Sequence, residues 1–170
     1  MNTLGLKCSI RDKKANLTAV ISLDNGEIHK HLYKSPSIFS FKKNSGELLN
    51  WHRENVISLI TNFKIEGVSI RKTERESFNG RPKNSDIFKL YLEGVLLSLA
   101  GSMGIFNKHY YKTDVKFILD DPDIFEKEIE TIATEKEKNL CFTDTNALDK
   151  TASKEAFLAV LSLEKEYTND

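Results

Sequence analysis

LTAVISLDNGEIHKHLY, residues 17–33, decides the fold. Leu17 to Leu23 is dense in β-branched and apolar residues and reads as a strand. Asp24-Asn25-Gly26 follows, and Asn and Gly accept the positive φ that a tight hairpin turn needs. Glu27 to Tyr33 is the returning strand. Upstream, Leu4, Leu6, Cys8 and Ile10 alternate with other residues, the period-two mark of a further strand. The RDKKAN between them (11–16) is polar and turn-like. The N-terminal fifth of the chain therefore predicts a three-stranded antiparallel meander.

Downstream the periodicity changes. After a loop holding Ile38, Phe39 and Phe41, Asn44 and Glu47 have the spacing of a capping box. Leu48, Trp51, Val56, Leu59, Ile60 and Phe63 then recur at helical spacing, and Gly67 stops the run. VSI (68–70) is short, apolar and bounded, which predicts a buried fourth strand. Residues 71–84 form a polar loop, and Asn84 or Ser85 caps a helix that is apolar on most sides through Ala100. DVKFIL (114–119) reads as a fifth strand. Asp121-Pro122 opens a helix through FEKEIETIATEKE, NLCFTDTNALDKT is irregular, and Ser153 caps a last helix. A meander followed by alternating helices and strands is an α/β mixed sheet: the meander plus two further strands, flanked by helices.

The chain has 170 residues, 25 Lys+Arg and 25 Asp+Glu, 39% hydrophobic residues and two cysteines. That length suits a single domain, 1–170, with a core of useful size. Two cysteines, Cys8 and Cys141, make no disulfide framework and fit a reduced, cytoplasmic protein. MNTLGLKCSI lacks the features of a signal peptide. The most apolar stretch, Val95 to Ile105, is too short for a membrane span, which needs roughly 20 residues. Charge is uneven: residues 1–113 hold 18 Lys+Arg against 10 Asp+Glu, and residues 114–170 hold 7 against 15. This marks either an interaction face or two halves that attract each other.

Val56 to Ile105 reads VISLITNFKIEGVSIRKTERESFNGRPKNSDIFKLYLEGVLLSLAGSMGI. Helix, short strand, Gly-bearing polar loop and long apolar helix resemble the middle of bacterial Holliday junction resolvases of the RNase H-like superfamily. The stretch resembles more closely a family of uncharacterised bacterial proteins with an RNase H-like fold. In these, a strand ending in a charged pair leads through a Lys/Gly/Phe-containing loop into a helix with a mid-helix Glu. The matching pieces are Ile70-Arg71-Lys72, Phe78-Asn79-Gly80 and Glu93.

The resemblance implies an RNase H-like sheet over the whole chain and, in active members, two-metal phosphodiester hydrolysis. One acid then belongs in the first strand, one at the end of the fourth strand, and one or two at the start of the last helix. Two divalent ions held there activate water and stabilise the leaving oxygen. The first-strand position is expected near Ile10 or Arg11, where neither is acidic and Asp12 comes late. The fourth-strand position falls on Arg71, a cation. Only Glu155, in Glu155-Ala156-Phe157-Leu158-Ala159-Val160, keeps a matching acid, and Arg71 is expected to pair with it.

Two functions follow from these residues. One is a degenerate, non-catalytic interaction module with no cofactor, for a protein or nucleic-acid partner. It acts through Arg71, Lys72, Arg75, Phe78, Arg81 and Lys83, a loop of net charge +3 with an aromatic for stacking. The other is a Mg²⁺- or Mn²⁺-dependent nuclease with displaced ligands Asp12, Glu74, Glu76 and Glu155. Each feature also has a plain reading. Asp12 serves its turn, Glu74 and Glu76 are solvated, Glu155 favours a helix N-terminus, and the loop is ordinary surface. His29 and His31 share a strand face with His52 or His109 as a third ligand, but the spacing matches no standard zinc motif. Asp120, Asp121 and Asp123 are explained by capping. A homodimer is compatible with the sequence.

Overall fold

The computed structural model describes residues 1–74, 82–135, 141–142 and 150–169. Its elements are β1 (Thr3–Arg11), β2 (Lys14–Ser22), β3 (Glu27–Lys34), α1 (Phe41–Phe63), β4 (Gly67–Arg71) and α2 (Asn84–Ser102). Then come β5 (Phe106–Tyr110), α3 (Lys112–Leu119), α4 (Ile129–Glu135), β6 (Cys141–Phe142) and α5 (Lys150–Asn169). They build one six-stranded sheet in the order β5-β4-β1-β2-β3-β6. β1, β2 and β3 pair antiparallel, as the meander predicts, while β4 runs parallel to β1 and β5 parallel to β4.

Both hairpins follow from turn chemistry. Gly26 has φ 87, and its N–H donates to the Leu23 carbonyl at 3.0 Å. The β1–β2 turn is tighter: Asp12 and Lys13 both have positive φ, 51 and 57, the signature of a two-residue hairpin turn. Asp12 is thus taken up by the turn.

The strand alternation divides the core in two. Leu4, Leu6 and Cys8 of β1, with Leu17, Ala19 and Ile21 of β2 and Val68 and Ile70 of β4, pack against α1 and α2. The opposite face belongs to α5, with Phe157 and Leu161 in a second cluster reaching Val115 and Leu119 of α3. Odd-numbered β1 residues therefore look towards α5. Gly5 is one of them. A Cβ built there would stand 2.1 Å from the Ala156 carbonyl oxygen and 2.6 Å from Val160 Cγ2, so only glycine lets α5 lie this close.

Several element predictions are corrected. The fifth strand is Phe106–Tyr110, and residues 112–119 are α3. Asp114 accepts a hydrogen bond from the Tyr111 N–H at 2.7 Å in a capping box, and Val115 and Leu119 bury one helical face. The capping box expected at Asn44 does not form, because Asn44 has non-helical φ −141 and its side-chain oxygen accepts from Ser40 N–H. α1 ends in a left-handed Lys64, before Gly67. Lys83, not Asn84 or Ser85, is the N-cap of α2. Residues 121–127 are turns rather than helix, with Lys127 bridging Asp121 and Glu135. α5 begins at Lys150, so Ser153 lies inside it. The stretch expected to be irregular contributes the short β6, parallel to β3. No helix among the described residues is long and apolar enough to cross a membrane.

Two predictions follow from this packing. Gly5→Ala forces the Ala156 backbone away and should lower unfolding free energy by about 2 kcal/mol or more. Gly94→Ala, which meets open space in a helix, should be neutral or stabilising by up to about 1 kcal/mol; urea denaturation of both variants checks this, and equal effects would contradict the close approach. The second concerns His52, fully buried on α1. Burial lowers its pKa from 6.5 to about 4, an effect the Ala15 backbone offsets only in part. Between those values the unfolded chain binds the extra proton, so stability falls as pH drops through this window, by an amount on the order of 3 kcal/mol. The stability difference between wild type and His52→Leu, measured at pH 7 and pH 5, should shrink or reverse at the lower pH.

Candidate functional site

β1 and β4 are neighbouring parallel strands, and their register sets Lys7 beside Arg71. Both are odd-numbered and face α5. Since α5 lies flush on Gly5, Glu155, one residue before Ala156, comes to rest over this pair. Lys7 Nζ stands 2.7 Å from Glu155 Oε2, and Arg71 Nε stands 3.9 Å from the same oxygen. The Arg71 residue is only 2% exposed. The expected pairing of Arg71 with Glu155 is present, with Lys7 the closer partner.

Arg71 does more than meet Glu155. Its Nη1 donates to the Lys72 carbonyl at 2.8 Å and the Tyr110 carbonyl at 3.3 Å, and its Nη2 donates to Glu74 Oε1 at 3.1 Å. Glu74 Oε1 also accepts the Lys112 backbone N–H at 2.6 Å, at the start of α3. One guanidinium thus ties the ends of β4 and β5, the N-terminus of α3 and the first turns of α5. Phe125 lies beside it, its ring centre 5.5 Å from the guanidinium carbon and 4.9 Å from Lys112 Nζ.

Behind this knot sits Glu93, buried in the middle of α2. The Thr73 N–H and hydroxyl both donate to its Oε1, at 2.9 and 2.5 Å. Burial raises the Glu93 pKa, and the Thr73 hydrogen bonds and the charges of Lys7 and Lys72 counter it. Burial, reinforced by Glu93, also pushes the Cys8 thiol well up, which makes it a poor nucleophile.

The acids named from sequence separate here. Glu74 and Glu155 meet on either side of Arg71. Asp12 sits five residues beyond Lys7 on β1, about 16 Å away at 3.3 Å per residue. Glu76, Arg75, Phe78 and Arg81 lie outside the described residues. Lys72 lies over the Tyr111 ring at 4.3 Å, and Lys83 is exposed at the start of α2. The β1 residue that stands beside Arg71 and Glu155 is Lys7, not Ile10 or Arg11: Ile10 is even-numbered and packs with the α1 and α2 cluster, and Arg11 lies further along the strand. The alternation Thr3-Gly5-Lys7 held that signal. Lys112 precedes the stretch read as a strand, 114–119, and carried no signal of its own.

Among the described residues, no three His, Cys, Asp or Glu side chains gather into a group able to hold a metal. The donor set at the strand ends does not fit divalent metal. Lys7 and Arg71 are cations, and the one carboxylate between them is already engaged by both. Mg²⁺ asks for oxygen ligands, and a divalent ion 4 Å from a unit cation costs about 8 kcal/mol with an effective dielectric of roughly 20.

Arg71→Met should therefore lower stability by about 3 kcal/mol, because it removes the buried cation that Glu155, Glu74 and the Lys72 and Tyr110 carbonyls share. Lys72→Met, which removes a cation from a surface ring, should cost less than about 1 kcal/mol. Equal losses in chemical denaturation would contradict the central place given to Arg71.

No protein-family model matches the sequence, and none of the curated proteins does. Solved structures do match. RuvC of T. thermophilus in complex with a Holliday junction substrate has TM-score 0.65 at 15% identity, over 99% of this chain and 96% of that one. Another structure of Thermus thermophilus RuvC gives 0.62 at 16%, with the same coverage. The yeast mitochondrial Holliday junction resolvase Ydc2 gives 0.60 at 10%, over 96% of this chain and 77% of that one. At such identities the likeness is one of fold: the chain has the RNase H-like fold of the RuvC resolvases.

Proposed function

We propose that this chain is a non-catalytic RNase H-like domain that grips a nucleic-acid backbone without cutting it. The observation that carries the reading is the pair Lys7 and Arg71 closed over by Glu155. Two-metal hydrolysis needs several carboxylates converging on ions about 4 Å apart. Here two fixed cations stand at the neighbouring strand ends, and their partner acid is neutralised.

Support for a polyanionic partner comes from the adjoining surface. Lys72 and Lys112 lie on the rings of Tyr111 and Phe125, and Tyr111 is 41% exposed. Lysines carried on aromatic rings suit phosphate contact beside base stacking. Lys83 marks the far root of the 71–83 loop, whose sequence adds Arg75 and Arg81. The relative in T. thermophilus was solved with a Holliday junction, so the same fold accepts branched DNA. The reading needs no metal. The nuclease alternative, with Mg²⁺ or Mn²⁺ on Asp12, Glu74, Glu76 and Glu155, is disfavoured by the distance of Asp12 and by Arg71 between the two acids that do meet.

The test uses labelled single-stranded, duplex, branched and RNA–DNA hybrid probes, in Mg²⁺, Mn²⁺ or EDTA, read for both retention and cleavage. Retention equal in metal and EDTA, weakening steeply with salt and dropping about tenfold or more in Lys72→Glu/Lys112→Glu, is expected. Metal-dependent cleavage lost in Glu155→Ala would overturn the non-catalytic reading. Absence of retention on every probe would overturn the nucleic-acid reading and leave a protein partner.

A further inference from the structure

β5 is the open edge of the sheet. The Tyr110 carbonyl accepts from the Lys72 N–H, so Tyr110 turns its backbone groups inward, towards β4. Alternation then turns those of Asn107 and His109 outward, where no strand pairs with them among the described residues. Natural edges are usually guarded by proline, a bulge or an outward lysine. This one has no proline, and its register with β4 is unbroken from Phe106 to Tyr110. Its single lysine, Lys108, is folded back onto Glu166 on α5 at 2.9 Å.

The surroundings are apolar and shaped. Seven large apolar side chains are exposed among the described residues. Five of them flank this edge in sequence or in space: Met103, Phe106, Tyr111, Phe117 and Tyr167. Phe106 packs on Tyr167, ring centres 6.0 Å apart. Phe117 is 86% exposed, an unusual position for a phenylalanine on a helix whose other face is buried. It forms one wall of a cavity of about 640 Å³ between β5, α3 and α5, with Tyr110 and Ile118 also lining it. Asp114 and Glu166 line it too, against the single cation Lys108 and the exposed His109. The Lys108 and Tyr110 hydrogen bonds hold the Glu166 carboxyl below its ordinary pKa, against the opposing effect of burial, so it stays ionised.

We propose that this edge docks an extended peptide of a protein partner, which adds a strand to β5 and seats an arginine or lysine in the Phe117 cavity. An added strand satisfies the outward backbone groups of Asn107 and His109, and its alternate side chains fall on the α5 face, where the cavity lies. A basic side chain suits the cavity because its stem covers Phe117 and Ile118 while its charge meets Asp114 and Glu166. A second copy of this chain is a poor occupant. Antiparallel pairing of β5 with itself about its centre sets Lys108 against Lys108, and like charges directly opposite destabilise a pair. The cavity is lined by none of Lys7, Lys72, Tyr111 or Lys112, so this inference does not rest on the nucleic-acid reading, although Tyr111 borders both surfaces.

The probe is a capped seven-residue peptide of alternating Thr and Val with a central Arg, labelled for fluorescence anisotropy against the full chain. Saturable binding is expected, with the central-Glu counterpart about tenfold or more weaker, since a charge-assisted contact becomes a repulsion. His109→Pro removes an outward N–H and no ladder bond, and should weaken binding by about tenfold. Phe117→Ser, at a side chain that contributes little burial, should weaken it severalfold while leaving thermal stability and nucleic-acid retention unchanged. If His109→Pro fails to fold, the Phe117→Ser arm and an N-methylated peptide that cannot donate to the edge carry the test. Arg and Glu peptides binding alike, or binding that survives both variants, would overturn the proposal. So would self-association of the chain abolished by Phe117→Ser, which would assign the edge to a second copy.

Discussion

The close approach of α5 to β1 at Gly5 governs this structure. The missing Cβ lets the Ala156 carbonyl press against the strand. The preceding residue, Glu155, is then held over the next two outward positions of the sheet, Lys7 and Arg71. Three charges come together where water is scarce, and each needs the others. The idealised cost of moving a single charge into a low-dielectric interior is of order 20 kcal/mol, so a packing this tight tolerates Glu155 only opposite cations. This geometry closes an ion-pair knot at the ends of β1 and β4.

That knot also accounts for the uneven charge along the chain. The basic first two thirds and the acidic last third meet across the sheet, through Lys7 and Arg71 with Glu155 and through Lys108 with Glu166. Thr3 joins them, its hydroxyl donating to Glu164 at 3.0 Å. α5 is the common acidic partner in every case. Of the two readings of the asymmetry, attraction between the two parts of the chain is therefore realised in the fold. Among the described residues it leaves Lys72, Lys83 and Lys112 as cations on the neighbouring surface.

Much of this was legible in the sequence, for physical reasons that also explain the failures. The meander was readable because turn residues and period-two alternation agree at Asn25-Gly26 and around Leu4-Leu6-Cys8. β4 was readable as a short apolar run, since both its faces are covered. β5 was not, because FNKHY is an edge strand with only Tyr110 buried, so its composition resembles a loop. DVKFIL misled in the opposite sense: its β-formers suit a strand, but the Tyr111–Asp114 cap and the i, i+4 pair Val115 and Leu119 make it a helix. Lys7 was overlooked because the first-strand position was counted towards the strand end. The faces of the strand set it instead, and the helix that selects the face lies at the other end of the chain, at Lys150–Asn169. Arg71 and Glu155 could be paired in advance because each ends or begins an element whose place in the fold was already expected.

Glu93 shows how the rest of the site depends on burial rather than on exposed chemistry. Its sequence position matched a mid-helix Glu in the resembling family, without any indication of its task. In the structure both Thr73 donors converge on one of its oxygens, at the point where the chain leaves β4. Two hydrogen bonds to a buried carboxylate are worth more than the same bonds at the surface, because the alternative is an unsatisfied charge. Glu93 therefore fixes the first root of the 71–83 loop on α2, the same helix that receives the loop's other root after Lys83. With both ends anchored on one rigid element, the direction in which Arg71, Lys72 and Thr73 leave the sheet is set before any partner arrives. Ordering the loop's root then adds nothing to the entropic cost of binding. The buried carboxyl of Glu93 thus positions the root from which a cationic loop departs.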